Sequence, residues 1–129
     1  MAGAAARIAA ELRTALRRAR NVVALEVHAA LVEATPVDTG WARANWIPST
    51  GAPVASPDGS RESVTAGAQA AGTAQVAGFT GAGPVFVSNA VPYIEALDAG
   101  HSQQAPSGFV RASVEKGLAA ARAKLGGGP

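Results

Sequence analysis

The chain has 129 residues, no cysteine and a formal net charge of +2. That length suits one domain and not two; the lack of cysteine excludes disulfides and thiolate metal sites; the slight basic excess, interleaved with acids, is no nucleic-acid-binding balance by itself. Of the 48% of residues counted as hydrophobic, 32 are alanine and only 30 are larger, so a thin core is expected, with oligomerisation as the remaining route to extra stability.

Residues 3–34 read as one long helix. Ile8, Leu12, Leu16, Ala19, Val23, Val27, Ala30 and Leu31 recur at spacings of three and four and fall on one stripe. Such a helix is about 45 Å long, more than a compact domain of this size needs, so part of it is expected to project or to pack on a neighbour. Arg7, Arg13, Arg17, Arg18 and Arg20 crowd its first half. They read as a solvated or salt-bridged face before they read as a surface for an acidic partner or for DNA, because no aromatics are interleaved for base stacking. His28 falls on the polar side, as a solvated or interface histidine rather than a ligand. Pro36 pushes Thr35 out of helical backbone and ends the element.

Residues 35–50 read as a turn and strand anchored by the two tryptophans. Pro36 stops the helix, Asp38 or Thr39 accepts a backbone N–H in a local turn, and Gly40 supplies the freedom of the corner. Trp41 and Trp46 then weld the helix end to the sheet or to a neighbouring subunit, each contributing about 1.5–3 kcal/mol on burial. Residues 51–83 read as a surface loop followed by a Gly/Ala-rich arm, with a short strand at 62–68 and a low-complexity tract at 66–83 that is either a flexible arm or a weak hairpin ordered only against a partner. Within 84–125 the sequence predicts a strand at 84–90, a short helix at 92–100 ended by Gly100, a polar loop, and a last helix. That helix is capped by Ser107 and carries Val110, Val114, Leu118, Ala121 and Leu125 on one face. Residues 126–129 are a tail. The order is α+β in a single domain, 1–129: a long N-terminal helix, a small, mostly antiparallel sheet, and a C-terminal helix packed on the sheet.

Three chemical readings arise. Asp38-Thr39-Gly40 is the tripeptide of aspartic proteases, in which two subunits share a proton between close carboxylates. In that fold, however, the tripeptide follows a hydrophobic strand and precedes a small residue, whereas here a helix and Pro36-Val37 precede it and Trp41 follows. Glu95, Asp98 and His101 could be offered as metal ligands, but their spacing fits one helical face only loosely and Gly100 interrupts it; polar decoration of a helix end is the reading. No phosphate-binding loop follows a strand, since the Gly/Ala tract lacks the required Lys-Ser/Thr. No enzyme, cofactor or metal is expected. The opening MAGAAARIAAELR lacks the apolar run of a signal peptide, and no window reaches the length of a membrane span, so a soluble, cytoplasmic chain is expected.

TPVDTGWARANW (35–46) and VFVSNAVPYIEALDAGHSQQAPSGFVRASVE (85–115), behind a long helix, resemble the gene-ten-like tail-component family of lambdoid long-tailed bacteriophages, the neck or tail-completion proteins. The matching positions are Pro36, Asp38, Thr39, Gly40, Arg43, Trp46, Asn89, Pro92, Tyr93, Glu95, Gly100, His101, Ser102, Gln104, Ala105, Pro106 and Gly108. The resemblance implies a structural virion protein of the head–tail neck, assembled in the host bacterial cytoplasm as a ring, commonly sixfold, around the DNA channel. Its implied partners are further copies of itself, the head-closure or connector protein, and the tail-terminator or tail-tube protein; DNA only passes through, and no membrane is involved. On this reading Pro36, Asp38, Thr39, Gly40, Trp41, Arg43 and Trp46 form the structural turn and its anchors. Asn89, Pro92, Tyr93, Glu95, His101, Ser102, Gln104 and Pro106 face the adjacent subunit. The alternatives are a DNA-associated protein using the basic helix and, more remotely, a dimeric aspartic protease acting through Asp38.

Overall fold

The computed structural model describes residues 2–38, 40–100 and 106–126. The alanine-rich opening forms α1, Ala2–Ala34, 33 residues or about 50 Å of helix. The Thr35 N–H still reaches the Leu31 carbonyl at 3.1 Å, and Pro36, which has no N–H, then stops the ladder. The remaining elements are α2 (Trp41–Ala44), β1 (Ile47–Thr50), α3 (Gly67–Ala77), β2 (Val85–Ser88), α4 (Ile94–Asp98) and α5 (Phe109–Lys124). β1 and β2 pair antiparallel, with Ile47 opposite Ser88 and Thr50 opposite Val85. Pro48 within β1 is tolerated because a two-stranded sheet consists of edges. The class is α+β, with a long first helix, a small antiparallel sheet and a closing helix.

α5 runs antiparallel to α1. Lys116 Nζ lies 3.5 Å from Glu33 Oε2, and Lys124 pairs with Glu26 further back along α1. Ser113, Gly117 and Ala121 form the buried face of α5, and Gly117 sits so close to the backbone of Val27 that a Cβ there would overlap it. Small residues at this spacing bring two helix axes together. The C-terminal helix therefore packs chiefly on α1 rather than on the sheet, because its small-residue face matches a helix surface. Its first turn also reaches the cluster of Leu31 and Trp46: Phe109 joins it, and Val110 gathers around it with Val27, Val32, Val87, Ile94 and Leu97.

Three local expectations change. The tract at 66–83 is no arm: residues 67–77 form α3, which lies against β1. Gln69, Gly72, Thr73 and Val76 repeat at helical spacing on its inner side, Val76 is 0% exposed, and Gly72 admits the Pro48 carbonyl where a Cβ would collide. The expected strand at 62–68 is a turn, Ser60 and Ser63 exchanging backbone bonds at 3.1 and 3.2 Å, followed by the start of α3. Thr65 Oγ1 and Asp58 Oδ2 accept from the Gly67 and Ala68 N–H groups at 3.2 and 3.1 Å, supplying the helix start with side-chain acceptors. Ser107 does not cap α5. Gly108, at φ +80°, holds that position, and Asp98 reaches across from α4: its carbonyl accepts from Gly108 N–H at 2.8 Å and its Oδ1 from Val110 N–H at 3.0 Å.

Candidate functional site

The segments that carry the family resemblance meet at one corner. Arg43 ends α1 from outside, its Nε donating to the Val32 carbonyl at 2.6 Å and Nη2 to that of Glu33 at 2.9 Å; a cation on orphan carbonyls is favourable at a helix C-terminus. Gly40 adopts φ +80°, which a residue with a side chain would resist. Asn45, fully buried, exchanges two bonds with the Asp58 backbone, at 2.7 and 3.0 Å, and Trp41 Nε1 donates to the same Asp58 carbonyl at 2.9 Å.

The second segment closes on the first. Asn89 Nδ2 donates to the Ala42 carbonyl at 2.8 Å and its Oδ1 accepts from Val91 N–H at 3.1 Å. The Tyr93 ring lies 6.0 Å from that of Trp41, with the Arg61 guanidinium 4.5 Å above it. Asn89 and Tyr93 are thus engaged within the subunit. Asp38, Pro92, Glu95 and Pro106 are exposed. Thr39, His101, Ser102, Gln104 and Ala105 lie outside the described residues.

His28 corrects the solvated reading. It is buried, and its Nε2 lies 2.8 Å from the Trp46 carbonyl, which also accepts from Gln69 Nε2 at 3.0 Å. Burial lowers the His28 pKa, against an opposing contribution from the bond to Trp46. The neutral ring donating through Nε2 is the form that fits. One carbonyl thereby joins α1, the start of β1 and α3.

The arginines divide into two groups that spacing did not separate. Arg20 Nη1 donates to the carbonyls of Gly81 and Gly83 at 2.8 and 2.9 Å, and its guanidinium lies 4.5 Å above the Phe79 ring. Arg17 donates to the Thr80 carbonyl at 3.2 Å and Asn21 to that of Phe79 at 2.7 Å. These three side chains hold the 79–83 loop on α1. Arg7, Arg13 and Arg18 remain exposed. Beside them Ile8, Leu12 and Leu16 are 65%, 58% and 61% exposed, a stripe of large apolar side chains beyond the reach of α5.

Among the described residues no three His, Asp or Glu side chains are placed to hold a metal ion, and no described helix is long and apolar enough to cross a membrane. An open groove of about 490 Å³ runs between α1 and residues 77–80, lined by Arg17, Val22, Leu25 and Phe79 among others. The exposed apolar stripe of α1 beside it is the candidate functional surface. No protein-family model matches the chain, and no curated protein or solved structure matches it either.

Proposed function

We infer that the protein is a structural subunit of a phage-type head–tail neck, assembling into a ring of sixfold type that joins the head connector to the tail tube or its terminator. The observation that carries this reading is the N-terminal half of α1, whose leucine and isoleucine stripe is exposed and has no covering partner among the described residues. Large apolar side chains in a contiguous row are what protein interfaces cover. The thin core points the same way, since a subunit that buries little by itself gains from neighbours. The sequence resemblance supplies the particle and the ring. The role is assembly, with no bond made or broken.

Native mass spectrometry with negative-stain electron microscopy tests it, followed by mixing with purified tail tubes. Rings with a central hole that bind tube ends are the expected result; a compact dimer indifferent to tails would overturn the reading. Binding to duplex DNA with a steep salt dependence would favour the basic-helix alternative instead. Arg17 and Arg20 speak against that alternative, because their guanidinium groups are engaged with loop carbonyls.

A further inference from the structure

The stripe of α1 that α5 covers around Val27 continues towards the N-terminus through Leu16, Leu12 and Ile8. Its flanks are basic: exposed Arg7, Arg13 and Arg18 outnumber exposed Glu11. Two such stripes laid against each other would set arginine against arginine, which disfavours a symmetric α1–α1 pairing. The surface that complements the stripe must be apolar and acidic.

The opposite end of the same subunit offers one. Val37 and Val64 are 48% and 42% exposed, and exposed Asp38 and Glu62 stand beside them. The two short segments lie together: Val64 Cγ1 is 4.0 Å from the position a Cβ on Gly40 would take. The neighbouring Arg61 is turned onto the Tyr93 ring. An acidic valine patch thus sits near the C-terminal end of α1, and a basic leucine stripe occupies its N-terminal half.

We propose that the chain self-associates head to tail, the Ile8–Leu12–Leu16 stripe of one copy docking on the Val37–Val64 patch of the next. The two surfaces differ and lie towards opposite ends of a helix of about 50 Å, so the contact is heterologous and repeats until rotation closes it into a ring. This deepens the ring reading by naming the two faces, and it commits to a second copy as the occupant of the stripe.

Two charge reversals test it. Arg13→Glu with Arg18→Glu makes the stripe acidic; Asp38→Arg with Glu62→Arg makes the patch basic. All four positions are exposed, and circular dichroism verifies that each variant folds. In sedimentation and native mass spectrometry the wild type should form species larger than a dimer, weakening as salt rises. Each variant alone should stay monomeric to about tenfold above the wild-type midpoint or beyond. An equimolar mixture should assemble again, because a doubly acidic subunit then alternates with a doubly basic one. Leu12→Asp, also at an exposed position, should abolish assembly without unfolding the chain.

A wild type that remains monomeric at every concentration would overturn the proposal, as would a mixture that fails to recover. Dimers in the equimolar mixture of the two variants, and no larger species, would show symmetric pairing of the acidic stripe with the basic one instead. Oligomers that ignore tail tubes would leave this interface standing and remove the neck reading; tail binding by a persistent monomer would do the reverse.

Discussion

Trp46 Nε1 donates to the Thr35 hydroxyl at 2.7 Å, and that hydroxyl donates in turn to the Leu31 carbonyl at 2.6 Å. Thr35 therefore relays the end of α1 to the residue that leads into β1, in the middle of the core cluster. Thr35→Val keeps the shape and removes the relay, leaving the indole N–H without its acceptor inside the protein. The expected loss is about 1–3 kcal/mol, read from the urea midpoint. Thr35→Ser, which keeps the hydroxyl, should lose less.

Gly117 meets α1 where Val27 presents its main chain, and the atoms nearest to a Cβ there are the Cα and N of Val27. Gly117→Ala would gain in helix propensity at an ordinary site, but here it should destabilise by about 1–3 kcal/mol through overpacking. Val27→Ala should not rescue it, because trimming the valine side chain leaves the backbone in place. A double-mutant cycle by chemical denaturation checks this; full rescue would mean that the approach is made by side chains.

The long helix, the turn at Gly40 and the anchoring tryptophans were legible because each rests on strong local chemistry: a stripe of apolar residues, a proline stop, a glycine at positive φ. The 66–83 tract was misread because alanine and glycine were counted as too small to pack. In α3 smallness is the packing device, Gly72 admitting the Pro48 carbonyl and Val76 filling the space beside it. The same blindness hid Ser113 and Gly117; of the face expected at Val110, Val114, Leu118, Ala121 and Leu125, Ala121 is buried, whereas Leu118 and Leu125 are exposed. Partners distant in sequence were illegible for another reason. No spacing rule links Arg43 to Val32, Asp98 to Val110 or Arg20 to Gly83. Arginines on one helix look alike until the loop that some of them hold is in place.

Arg20 holds residues 79–83 through two carbonyls and a ring face, a geometry that needs a planar guanidinium. Arg20→Lys keeps the charge but loses the flat group over Phe79 and the Nε bond to Asn21 that aim Nη1 at the two carbonyls. Hydrogen exchange should then quicken in residues 79–85, while amides of α5 keep their protection. Uniform loss of protection would show that the loop and the helix pair open as one unit.

His28 gives the fold a pH dependence of definite sign. Burial places its folded pKa below the ordinary value of 6.5, so on acidification the unfolded chain takes up the proton first. Between the lowered folded value and 6.5 the unfolded state binds more protons, and stability falls as pH drops through that window; above it, both states are neutral and the contribution is flat. His28→Gln retains a donor for the Trp46 carbonyl and removes the titration. Urea midpoints measured from about pH 8 to about pH 5, a range that brackets the unperturbed histidine value, should show the wild-type advantage over this variant shrinking below 6.5. A difference that stays constant across the range would mean that His28 accepts its proton equally well in the folded chain, and that the Trp46 carbonyl tolerates the imidazolium.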